Sequence, residues 1–370
     1  MRGKVRPMAL QGEQEKIFRT LRLTELPRRR YLEFLIGLFK TLEVLIFKGL
    51  QVLDLYRPQK SIVGIPSLAT QSFTLLQALV YNGTQDEVLG FRPRRLFHRV
   101  LRGLPDLEAF ERVRFQFALN DTTVRSIETS TETRGYVNLQ LPWQMPANTP
   151  GKAAWLRLIP SGVDTMLGTI KLGDYEIYSS PIFYLNDKVK WIIFSDIDDT
   201  IKDSNIAETT GVKAILSAIF KGHYYTYQPI DGMAELYQQL VAQGALIVYV
   251  TSTPYQLAPF LLKFLRQAGF PDGPVFPRWL GYGKFGHKFR IISKVMAHTT
   301  TQKCFLIGDS GEQDLPIYRR LAETPEFRDK VAKVLIRHVP GSPLPKDLHD
   351  RELIYHSLEE LKTELARVIS

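Results

Sequence analysis

A chain of 370 residues exceeds what one hydrophobic core usually organises, so two domains and an extra segment are expected. A composition of 44% apolar, 11% aromatic and 23% charged residues excludes a disordered polypeptide. The single cysteine, Cys304, excludes an intramolecular disulfide and a cysteine zinc cluster.

The net charge of +10 is unevenly placed, with 13 basic against 6 acidic side chains in residues 1–60. Such a basic segment points to an anionic partner, either lipid headgroups or nucleic acid, unless it is merely a solvated leader. Met1 to Phe18 lacks the apolar core and small-residue cleavage site of a secretory signal, so a cytoplasmic address is expected. From Tyr31 to Tyr56 the chain is apolar but interrupted by Glu33, Lys40, Glu43, Lys48 and Asp54, so it is not read as a spanning helix. Leu35, Leu38, Phe39, Leu42, Leu45, Ile46 and Leu53 recur at helical spacing after Arg28-Arg29-Arg30. This amphipathic helix can lie peripherally in a membrane interface or pack on a neighbouring domain.

Residues 61–185 change character, to short β-branched and aromatic runs separated by turns. Val113 to Phe117 and Val137 to Leu141 alternate with period two, and Asn120-Asp121 and Arg134-Gly135 supply turns. The expectation is an antiparallel β-sandwich domain without a catalytic motif. Residues 186–370 alternate apolar strands (Trp191–Ser195, Ala245–Val250, Lys303–Ile307, Val331–Ile336) with helices. Two of those helices, Met233–Gln243 and Gln256–Ala268, are closed by Gly244 and Gly269. That pattern predicts a Rossmann-like α/β domain, a parallel sheet with helices on both faces and its ligand beyond the carboxyl ends of the strands.

Three of those strand ends turn polar: Asp196-Ile197-Asp198-Asp199-Thr200, Thr251-Ser252-Thr253-Pro254, and Gly308-Asp309-Ser310-Gly311-Glu312-Gln313-Asp314. A single aspartate after a strand is most simply a helix N-cap. Several carboxylates on one rim repel and resist desolvation, and a divalent cation removes that cost. Oxygen-only ligands suit magnesium, bracketed by Asp196 and Asp309.

These motifs resemble the haloacid dehalogenase superfamily of aspartate-nucleophile phosphatases over roughly residues 190–338, here with a minimal cap. The resemblance implies that Asp196 attacks phosphorus, that Asp198 acts as acid and then base, and that Thr251 hydrogen-bonds the phosphoryl oxygens. It implies that Lys288 neutralises the intermediate, the spacing before the helix His287 to Ile292 favouring it over Lys284 and Lys294. The magnesium shell would draw on Asp196, Asp309 and the Asp198 main-chain carbonyl, with Asp314 a ligand or a group behind one. His287 is read as a packing histidine and Cys304 as a buried structural thiol.

The wording also resembles the phosphatidate phosphatases of the actin-patch type and their bacterial relatives. It is carried by Ser195 to Lys202, Gly232 to Tyr237, Thr251 to Leu257, Phe270 to Pro274, His287-Lys288 and Leu306 to Asp314. Thr131 to Tyr136 resembles a strand turn of the β domain that precedes the catalytic domain in relatives. Ser252 and Tyr255 stand where those relatives commonly carry Asn and Trp. Only about fifty residues, Ile201 to Val250, separate the first two motifs. A small cap and a basic helix suit phosphatidate in a bilayer, so the partner expected is an anionic phospholipid surface rather than nucleic acid. Polynucleotide and phosphoprotein phosphatases are the alternatives, with a non-catalytic membrane-associated adaptor as the reading of another class.

Overall fold

The computed structural model describes parts of 34–49, then 59–84, 111–119, 122–131, 135–142, 154–165, 168–170, 174–203, 228–278, 284–299 and 302–369. These fall in two compact units, residues 1–58 with 161–173 and residues 59–160 with 174–370. In the first unit the described residues between 34 and 49 are helical, as the periodicity predicts. Leu38, Leu42, Leu45 and Ile46 are exposed there, Ile46 by 63%. The arginine run at 28–30 lies outside the described residues, and no described helix is long and apolar enough to cross a membrane.

The second unit opens with strands β1 (Gln59–Ala69), β2 (Thr74–Asn82), β3 (Glu111–Leu119), β4 (Thr122–Ser130) and β5 (Tyr136–Leu141). They are followed by β6 (Ala154–Thr165), β7 (Gly168–Ile170), β8 (Asp174–Tyr178) and β9 (Ser180–Tyr184), of which β7 and the part of β6 after Pro160 fall in the first unit. Hydrogen bonds join them in one nine-stranded sheet of order β4-β3-β6-β9-β1-β2-β5, with β7 on β6 and β8 on β1. The expected purely antiparallel pairing is therefore corrected. A bulge between Ile65 and Leu68 splits β1, and its two halves pair in parallel with β8 and β9.

Strand β2 is buried along nearly its whole length rather than alternating. Leu76, Ala78 and Val80 face the core of the nine-stranded sheet, while Leu75, Leu79 and Tyr81 join cores shared with the C-terminal domain. A strand covered on both faces has no solvent side to require polar residues.

The C-terminal sheet contains β10 (Trp191–Ser195), β13 (Ala245–Pro254), β14 (Val275–Arg278), β15 (Lys303–Asp309), β16 (Val331–Arg337) and β17 (Glu352–Tyr355). Its order is β14-β13-β10-β15-β16-β17, all parallel. Helices α1 (Met233–Ala242), α2 (Ala258–Gln267) and α5 (Leu358–Ile369) place Tyr237, Leu261 and Leu361 on one face, against Ile193, Ile247 and Phe305. Helices α3 (Lys284–Ala297) and α4 (Asp314–Glu323) place Ile292, Met296, Ile317 and Leu321 on the other, against Ile192, Phe194 and Leu306. Each such side chain contributes about 1.5–3 kcal/mol on burial. Gly244 (φ 99°) and Gly269 (φ 74°) end α1 and α2 in the left-handed region, as their positions predict. The second helix starts at Ala258, later than predicted, because a 3₁₀ turn over Tyr255–Leu257 precedes it. Between the first two motifs, β11 (Lys202–Asp203) and β12 (Gln228–Pro229) form an antiparallel pair. Residues 204–227, where the minimal cap is expected, lie outside the described residues.

Candidate active site

The central strand β10 is flanked by β13 and β15, with Ser195 level with Tyr249 and Ile307. The three polar strand ends therefore meet on one rim. Asp196 is pinned by its N–H to the Ile307 carbonyl at 2.9 Å. The Ser195 hydroxyl donates to the Asp196 carbonyl at 2.7 Å and meets Tyr237 Oη at 2.8 Å. The chain then turns back, with Asp199 N–H donating to Lys202 O and Lys202 N–H to Ile197 O. That turn puts Asp199 at φ 55°, a left-handed conformation that aspartate tolerates better than most side chains. Arg337, at the end of β16, donates to the Asp199 carbonyl at 2.8 Å.

Carboxylate oxygens of Asp196, Asp309 and Asp314, all fully buried, lie within 4.8 Å of one another. Lys288, arriving on α3, pairs with Asp196 at 2.9 Å, with Asp314 more closely, and reaches Glu312 at 4.0 Å. Asp309 Oδ1 accepts from Gly311 and Glu312 N–H at 2.6 and 3.1 Å. Gly308 lets Asp314 approach, since a Cβ there would lie 2.7 Å from Asp314 Cβ. Asp196 Oδ2 and Asp309 Oδ2 have no hydrogen-bond partner among the described residues. Burial, opposed by Lys288 and reinforced by the neighbouring carboxylates, pushes the Asp196 carboxyl well above its ordinary range. Burial and then Asp314 likewise raise Asp309. Hard, buried oxygens left unsatisfied and mutually repelling are what a divalent cation such as magnesium stabilises, so the donor set fits one.

Asp198 stands apart from that cluster. Its carboxylate is paired with Lys202 and accepts from Thr251 Oγ1 at 3.1 Å and Thr253 Oγ1 at 2.6 Å. Burial would raise its pKa, but Lys202 and the two hydroxyls prevail and bring it down to about 2.

The residues expected from the motifs thus divide. Asp196, Lys288, Asp309 and Asp314 gather in one group, and Asp198 with Thr251 in another beside it. The carboxylate of Asp198 is not in the metal-type cluster, and only its main-chain carbonyl is left as a candidate ligand. Thr251 turns its hydroxyl to Asp198. Lys294 bonds Gln140 instead of the site. His287 is buried against the Phe276 carbonyl at 3.1 Å, a packing role, and burial pushes the Cys304 thiol up to about 12. Thr253, which the motif resemblance does not mark, also bonds Asp198. The signal for it was the run of three hydroxyls, Thr251-Ser252-Thr253, after a strand.

Residues 191–338 match the family described as phosphatidate phosphatase APP1, catalytic domain. Phosphatidate phosphatase APP1 of Saccharomyces cerevisiae is 29% identical over 174 residues, covering 44% of this chain and 28% of the yeast protein. An uncharacterized Schizosaccharomyces pombe protein is 28% identical over 162 residues, covering 40% of this chain and 25% of its own. The chain thus spans about a quarter of the length of the curated relatives it matches. A HAD family hydrolase structure from Deinococcus radiodurans R1, with bound phosphate and sodium, covers 50% of this chain and 97% of its own. It does so at 13% identity and a TM-score of 0.29, a loose likeness. The likeness to the phosphatidate phosphatase APP1 catalytic domain thus lies in the segment 191–338, which carries the three polar strand ends.

Proposed function

We propose that this domain is a magnesium-dependent phosphomonoester hydrolase that converts phosphatidate to diacylglycerol and phosphate through an aspartyl-phosphate on Asp196. The observation that carries the reading is the meeting of Asp196, Asp309 and Asp314 within 4.8 Å, with Lys288 against them. A bound divalent cation would be held by Asp196 and Asp309, with Asp314 beside them, and would supply positive charge against the phosphoryl oxygens.

In the first step an Asp196 carboxylate oxygen forms a bond to phosphorus, and the phosphorus–oxygen ester bond breaks. The departing alkoxide takes a proton from Asp198. In the second step water attacks phosphorus, Asp198 takes the water proton, and Asp196 and inorganic phosphate are released. Lys202 and the threonines favour the ionised form of Asp198, which suits the second step. A dianionic substrate brought beside it raises its proton affinity by repulsion, which suits the first. Lys288, nearly fully buried, holds Asp196 in place and balances charge on the phosphoryl group.

The basic character of residues 1–60 and the exposed Leu38, Leu42, Leu45 and Ile46 support a peripheral contact with anionic lipid. The test is phosphate release from phosphatidate in mixed micelles with magnesium, run beside Asp196→Asn. Release is expected from the wild type and a loss of at least about 10³-fold in the variant. Activity confined to soluble phosphomonoesters would reject the lipid substrate, and full activity in the variant would reject the nucleophile.

A further inference from the structure

The nine-stranded sheet reaches the active site by two routes, and both end on the segment Thr251–Tyr255. The first is through aromatic rings. Tyr136, at the start of β5, stacks on Tyr255 with centroids 4.3 Å apart and planes 15° from parallel. Both rings are buried, and Tyr255 opens the 3₁₀ turn directly after Thr253-Pro254.

The second route is polar. Gln77, in the middle of β2 and 1% exposed, accepts from Tyr136 Oη at 2.7 Å. Its amide donates to the Val275 carbonyl at 3.0 Å. Strand β14 is the edge of the parallel sheet. The carbonyl of Pro274, just before it, is taken by Tyr249 N–H at 2.9 Å, so the next carbonyl, that of Val275, points outward and needs a donor. Gln77 supplies it. Three residues on, Arg278 donates through Nε to the Ser252 carbonyl at 2.8 Å.

The segment so held is the one that orients Asp198. Thr253 N–H donates to Thr251 Oγ1 at 3.0 Å, and both hydroxyls donate to the same Asp198 oxygen. We propose that the nine-stranded sheet is a positioning element of the active site: Gln77 and Tyr136 fix the Thr251–Tyr255 segment so that Asp198 is aimed for proton transfer. This rests on Asp198 being the acid and base of the proposed function. Gln77 and Tyr136 are positioning residues and touch no substrate.

Displacing a proton donor slows loss of a poor leaving group and hardly affects one that leaves as a stable anion. The experiment compares kcat/KM, which covers the steps through the first phosphoryl transfer, for phosphatidate and p-nitrophenyl phosphate. It uses the full chain with magnesium, in wild type, Gln77→Met, Tyr136→Leu, Tyr136→Phe and Asp198→Asn, each checked by thermal unfolding. Gln77→Met and Tyr136→Leu are expected to lose roughly 10-fold or more on phosphatidate but less than about 3-fold on the nitrophenyl ester. Tyr136→Phe, which keeps the stack, is expected to fall between them and wild type. If Tyr136→Leu does not fold, Gln77→Met and Tyr136→Phe decide. Equal losses on both substrates in folded variants, or no loss, overturn the positioning role while Asp198→Asn still discriminates. An Asp198→Asn variant that treats both substrates alike overturns the acid–base assignment, and the inference with it.

Discussion

One side of the active-site rim carries excess negative charge, and the other is balanced. On one side Asp196, Asp309 and Asp314, with Glu312 nearby, face one lysine, Lys288, and two of their oxygens have neither a hydrogen bond nor an ion pair among the described residues. On the other, Asp198 has an ammonium and two hydroxyls on it and is held in its ionised form. Two carboxylates separated by one residue therefore have opposite displacements of pKa. The first side is incomplete without an external cation, whereas the second is satisfied by the protein alone. That division suits the two-step phosphoryl transfer proposed above, with charge neutralisation and proton traffic kept on separate groups.

The largest effect is expected where the first side loses its internal cation. Lys288→Met removes the ammonium paired with buried Asp196 and Asp314, a change of about 3–5 kcal/mol for a broken buried pair. Steady-state assays should show kcat/KM down by roughly 10²–10⁴-fold. A variant within about 3-fold of wild type would mean that Lys288 is dispensable and the contrast between the sides is wrong. Next is Gly308→Ala. The new methyl would press on Asp314, so Asp314 or β15 must shift. Apparent magnesium affinity, read from activity against free magnesium, is expected to weaken by roughly 10–100-fold. An unchanged affinity would remove Asp314 from the metal side.

Thr253→Val sharpens the contrast from the other side. It deletes one hydrogen bond to a charged acceptor, of about 1.5–3 kcal/mol. The expected loss in kcat/KM on phosphatidate is about 10–100-fold, with magnesium affinity unchanged. A shift in magnesium affinity would show that the two sides are not separate.

Much of the first side was readable from residue order alone. Apolar strands running into Asp196 and Asp309 had to share a rim once the sheet was parallel. Lys288 was indicated by resemblance and spacing, and it lies inside α3, which starts at Lys284, earlier than the run His287 to Ile292 suggested. The second side was less readable. Thr253, Lys202 and Arg337 act on Asp198 and its turn through hydrogen bonds and one left-handed residue, Asp199, none of which has a periodic signature. The nine-stranded sheet shows the same limit. Its strands announced themselves by alternation, but the parallel pairing of β1 depends on a bulge, and bulges are set by tertiary contacts. Only the apolar residues on both faces of β2, broken by Gln77 alone between Leu75 and Tyr81, hinted that another domain covers its outer face.

The smallest expected effect is on stability, and it separates the sides most cleanly. Asp309 is pushed up to about 7 and Asp196 well above its ordinary value, so without a cation the folded state binds protons that the unfolded chain has released. The stability these groups contribute is fully present below their unfolded pKa and is lost as pH rises through the folded one. Metal-free protein should therefore lose stability between about pH 4 and pH 7. His287, whose pKa burial lowers to about 4, contributes with the opposite sign over much of that window. Its contribution is the same with or without magnesium, so the difference between the two curves isolates the carboxylates. With magnesium bound the carboxylates stay ionised, and the gap in apparent midpoint should widen toward neutral pH by on the order of a few degrees. Asp198, ionised throughout, adds nothing to that gap. Parallel curves with and without magnesium would mean that Asp196 and Asp309 are not answered by a cation, and the first side would then need another explanation for its unfilled oxygens.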